Sequence, residues 1–72
     1  MKYEIYREDI NKIVLKEVEA QDSEDAIGKY VSALMIAGIV IMNDDALEKI
    51  SDNIFKINRA DGRSFVAECR TL

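Results

Sequence analysis

One cysteine and no histidine in a chain of 72 residues leave no disulfide and no ordinary zinc site, so the fold must rest on an apolar core alone. Cores at this length are marginal, because only about 60% of the unfolded surface can be buried. The composition supplies what such a core needs: 49% of residues are hydrophobic, none is proline, and little interrupts regular structure. One domain spanning residues 1–72 is the expectation.

The single Cys69 also bears on compartment, since small secreted domains usually carry several disulfides. The opening stretch Met1-Lys2-Tyr3-Glu4-Ile5-Tyr6-Arg7-Glu8 lacks the apolar core of a signal peptide. The longest apolar run, Ala33 to Met42 broken by Gly38, is too short for a bilayer, which takes about 20 residues. A cytoplasmic location with no membrane contact is expected. Ten Lys and Arg against 14 Asp and Glu give a net charge of −4. That balance speaks against direct nucleic-acid binding, where phosphate neutralisation supplies most of the affinity. For a protein partner it favours a basic surface.

Five segments follow. Tyr3 and Ile5 alternate with Lys2 and Glu4, which predicts a strand over Lys2–Glu8, and Asp9-Ile10-Asn11-Lys12 supplies turn chemistry. The next strand, to Gln21, has Ile13 and Leu15 on one parity and Val18 and Ala20 on the other. A parity change needs one extra residue, so a β-bulge is predicted near Lys16 or Glu17. A helix is predicted from about Ser23 to Ala37. Asp22 or Ser23 caps it, Ile27, Tyr30, Val31 and Leu34 form the inner stripe, and Gly38 stops it. Gly28 within it suggests close approach to the sheet. Ile39-Val40-Ile41-Met42 reads either as a short strand or as a buried linker. Asn43-Asp44-Asp45 then resembles an N-cap for a short helix ending near Asp52, with Ala46, Leu47 and Ile50 inside. Finally, Phe55 and Ile57, a turn at Ala60-Asp61-Gly62-Arg63, and Phe65, Ala67 and Cys69 predict a second hairpin. The expected fold class is α+β: a four-stranded antiparallel sheet in ββααββ order, with one main and one short helix on one face.

Reactive chemistry is sparse. Without histidine the chain lacks the commonest general base and metal ligand. The isolated Gly28, Gly38 and Gly62 form no phosphate loop, and no EF-hand spacing surrounds Asp44 and Asp45. Cys69 falls on the inferred core face, and the acidic stretches match helix caps and solvated faces. No catalytic residue, metal ligand or cofactor site is assigned, and an enzyme is not expected.

Two features exceed what a minimal fold requires. Met35, Ile36, Ile39, Ile41 and Met42 give more apolar surface than the helix's inner stripe needs. Either the second helix covers them or they meet another chain. Acidic residues flank them, and Asp44, Asp45, Glu48 and Asp52 are the candidates for meeting a basic partner. These nine residues are the candidate partner-binding set.

The stretch Val18-Glu19-Ala20-Gln21-Asp22-Ser23-Glu24-Asp25-Ala26-Ile27 resembles a strand-to-helix pattern of short phage and mobile-element proteins. In being small, acidic and free of motifs, the chain is similar to anti-CRISPR proteins. The resemblance covers ten residues and carries over no functional residue. It implies a protein that occupies a surface on another protein, in a host cytoplasm if phage-encoded. The expected function is a non-catalytic protein-binding module, possible targets being a host defence or nucleic-acid-handling complex. The alternatives are a homodimer or assembly component, and then a small enzyme or ligand binder.

Overall fold

A computed structural model describes residues Met1 to Leu72. Its elements run β1 (Lys2–Arg7), β2 (Lys12–Glu19), α1 (Ser23–Ile36), β3 (Leu47–Ser51), β4 (Ile54–Asn58) and β5 (Ser64–Thr71). The α+β class holds, but there is one helix, and the antiparallel sheet has five strands in the order β2-β1-β5-β4-β3. The helix packs on one face, against β1, β5 and β2.

β1 and β2 form the predicted hairpin. Tyr3 faces Val18 and Ile5 faces Leu15, so β2 carries one extra residue over Lys16 and Glu17, where the bulge was expected. Glu17 sits in the left-handed region at φ 55°, which suits a bulge and costs a non-glycine residue some strain. β2 has a second bulge, at the register shift between Ile5 and Tyr6 of β1. Ile5 pairs with Leu15 but Tyr6 with Ile13, so an extra residue at Val14 turns Ile13 to the outer face while Leu15 stays inside.

α1 begins as its sequence dictates. Asp22 is the N-cap, and its carboxylate accepts from the Asp25 N–H at 2.8 Å. Asp25 reaches back past the cap to accept from the Gln21 N–H at 3.0 Å, so a second amide is satisfied. The helix ends in a Schellman motif. Gly38, at φ +78°, donates to Met35 O at 3.1 Å, and Ile39 donates to Leu34 O at 2.9 Å. Gly28 does not mark a close approach: a Cβ built there meets nothing within 4 Å.

The expected short helix over 43–52 is absent. Asn43 accepts from the Asp45 N–H through its side chain at 2.8 Å and from the Ala46 N–H through its carbonyl at 3.2 Å. Its capping chemistry is thus used in a turn. Leu47–Ser51 then extends against β4, with Leu47 facing Ile57 and Lys49 facing Phe55. Residues 39–42 are irregular; only Val40 among them is buried.

The core lies between α1 and the inner sheet face. Tyr3, Ile5, Phe55, Ile57, Phe65, Ala67 and Cys69 come from the strands, and Ala26, Ile27, Tyr30, Val31 and Leu34 from the helix. Burying each large side chain stabilises by about 1.5–3 kcal/mol. Every buried residue is apolar. The outer sheet face is uncovered and mixes Glu4, Tyr6, Lys56, Val66, Glu68 and Arg70.

Candidate partner-binding surface

The Schellman turn reverses the chain at Gly38 and sends it around the end of the core. Ile39 O accepts from the Ala60 N–H at 2.8 Å, which ties this loop to the β4–β5 turn. Val40 plugs into the core, and its neighbours in sequence are left outside. Ile36 is 89% exposed, Met42 82%, Ile41 58% and Ile39 37%. With no second helix to lie over them, they form an uncovered apolar pole at the C-terminal end of α1. Met35 differs: it is half-buried and packs against the core.

The four candidate acids do not gather in one place. Asp44 and Asp45 lie in the exposed turn just beyond Met42 and form no ion pair. Glu48 is on the outer face of β3. Its carboxylate accepts from Asn58 Nδ2 at 2.9 Å and lies 3.7 Å from Lys56 Nζ. Those partners, Asn58 first, hold its carboxyl below the usual range. Asp52 sits past the far end of β3, where its carbonyl accepts from Ser23 Oγ beside the helix N-terminus. Its carboxylate is 3.9 Å from Lys49 Nζ, which also pairs with Glu24 at 2.8 Å. The acidic stretch Asp22, Glu24 and Asp25 is at this same end, separated from the apolar pole by the length of α1, about 21 Å. The acids thus do not flank the pole on both sides; Asp44 and Asp45 alone adjoin it in the chain.

Other chemistry is muted. The surface carries no pocket, and no three Cys, Asp or Glu side chains converge as metal ligands would. Cys69 is 2% exposed, and burial pushes its thiol up to about 11, away from the thiolate a nucleophile needs. The carboxyls that shift, Asp9, Glu48 and Asp61, all shift down, the wrong direction for a proton donor at neutral pH. No helix is long and apolar enough to cross a membrane.

β3, with its open edge, is the strand that the four-stranded expectation lacks. A signal was present in Asp52-Asn53 between Ile50 and Ile54-Phe55, a turn pair between two apolar positions. The chain matches no protein-family model, no curated protein and no solved structure.

Proposed function

We propose that this chain is a non-catalytic protein-binding module that docks through the pole formed by Ile36, Ile39, Ile41 and Met42. The observation that carries this reading is the near-complete exposure of Ile36, in the last turn of α1, and of Met42, in the loop that follows it. Scattered exposed apolar residues are ordinary, but several on one short loop are the pattern of an interaction surface. Met42 is flexible and polarizable, so it adapts to a partner's shape. Asp44 and Asp45, free of ion pairs, favour a partner with a cationic rim. The resemblance to anti-CRISPR proteins suggests a host defence or nucleic-acid-handling complex as that partner, since such assemblies carry basic surfaces.

The test compares the chain with an Ile36→Ser/Ile41→Ser/Met42→Ser variant as immobilised bait in lysate of a candidate host. A partner retained by the first and lost by the second supports docking through this pole. Equal retention by both, or none by either, rejects it. Light scattering on the same pair separates self-association: a dimer abolished by the replacements assigns the pole to a second copy.

A further inference from the structure

We infer that the open edge of β3 receives an extended segment of another polypeptide, bearing Lys or Arg side chains, as an additional strand of the sheet. The inference goes beyond the docking reading and rests on separate observations. The sheet has two edges, β2 and β3. β2 is a poor template: two register shifts and the left-handed Glu17 break its ladder, and Lys12 and Lys16 stand along it. β3 pairs only with β4, and Glu48, Lys49, Ile50 and Ser51 are all exposed. At its start Ala46 O accepts from the Asn58 N–H at 3.0 Å. Ladder bonds alternate along an antiparallel pair, so Glu48 turns its amide and carbonyl toward Lys56, its register partner. Leu47 and Lys49 therefore direct theirs to the open side. The regular run ends at the shift between Lys49 and Ser51, which limits the added pairing to the first part of the strand.

Charge selects the occupant. Asp44 and Asp45 lead into this edge without ion pairs, and Asp52, its carboxylate 3.9 Å from Lys49 Nζ, follows it. The one cation on the strand, Lys49, has its ammonium drawn to Glu24 of the helix at 2.8 Å. The chain on either side of the strand is thus acidic, so backbone pairing supplies attachment and basic side chains supply selectivity. A second copy of this chain would bring the same acidic flank against itself.

The test titrates the isotope-labelled chain with the peptide acetyl-Thr-Lys-Val-Lys-Val-Lys-Thr-amide, followed by amide NMR and hydrogen exchange. The Leu47 and Lys49 amides are expected to shift saturably and exchange more slowly, with binding several-fold weaker in about 0.5 M salt. The same peptide with Glu in place of Lys is expected to have no effect. The Asp44→Lys/Asp45→Lys variant, its fold checked by its own spectrum, is expected to reverse that preference. The Ile36→Ser/Met42→Ser variant is expected to bind the peptide unchanged, so failure of the apolar-pole reading is read separately. Loss of binding in that variant would show the peptide on the pole and overturn strand addition. So would shifts centred on β2 or the outer face, an equal response to both peptides, or no response. Concentration-dependent slowing at Leu47 and Lys49 without peptide would assign the edge to a second copy instead.

Discussion

The guanidinium carbon of Arg7 lies 3.7 Å from the centre of the Phe65 ring. The same group donates to Tyr30 OH at 3.2 Å and to both carboxylate oxygens of Asp9, at 3.0 and 2.6 Å. One side chain therefore joins β1, β5, α1 and the β1–β2 turn, over the edge of the core where Phe65 is buried. A planar fork can stack and donate in two directions at once; an ammonium cannot. Arg7→Lys is expected to cost about 1–2 kcal/mol from the lost stacking and hydrogen bonds. Urea unfolding measures this, and an unchanged midpoint would mean that solvent replaces those contacts without loss.

Asp9 gives the same cluster a pH signature. The Arg7 hydrogen bonds hold its carboxyl below the usual carboxylate range. A depressed folded value means the stabilisation is fully present above the unfolded value of about 4 and fades as pH falls through the lower folded one. Wild type is therefore expected to lose more stability than Asp9→Asn between neutral pH and about pH 3. Equal losses in paired urea melts would show that the pair is solvated.

Gly28 and Gly38 respond to alanine in opposite directions. Gly28 is inside α1, with open space where a Cβ would go and no positive φ. Alanine there is expected to stabilise by about 1 kcal/mol. Gly38 holds the helix stop at φ +78°, where alanine costs about 1 kcal/mol. Thermal melts of the two variants should move to opposite sides of wild type.

The parts legible in the sequence were those set by local pattern. Asp22 and Gly38 bracket α1 because capping depends on residues within one turn. The bulge at Lys16 and Glu17 was visible because a parity switch has no other cure. The bulge at Val14 was not, since Ile13 and Leu15 keep parity in the sequence and only pairing with Tyr6 and Ile5 separates them. Asn43-Asp44-Asp45 misled for a physical reason: the same side chains that cap a helix also close a turn. The choice was made by β4, whose Phe55 and Ile57 recruit Leu47 and Lys49 as a fifth strand. The candidate surface was half legible. Composition located the apolar residues, but the split between Asp44 and Asp52 required knowing that a strand, not a helix, runs between them.

Cys69 offers a direct readout of burial. Its thiol is raised from an ordinary 9.0 to about 11 by desolvation. At pH 8 the native chain should react with a thiol reagent only as fast as it opens, and far faster in urea. A raised acid holds its proton in the folded state, so its contribution to stability is complete below about pH 9 and declines as pH rises toward 11. Cys69→Ala should flatten that alkaline decline; a decline of unchanged depth would trace it to other groups.

Ile27 and Ile36 are nine positions apart on one helix, which at about 100° per residue sets them on opposite sides. Ile27 is fully buried and Ile36 is 89% exposed. Ile27→Ala should cost about 2–5 kcal/mol, since the transfer term and a cavity term both apply. Ile36→Ala removes the same atoms from a side chain that already faces water, so the change should stay within about 0.5 kcal/mol. Urea unfolding of the two variants at matched, low protein concentration decides the matter. A loss at Ile36 comparable with that at Ile27 would mean that something covers the pole in the isolated chain. The small loss expected instead would show that the exposed Ile36 side chain contributes little to the fold.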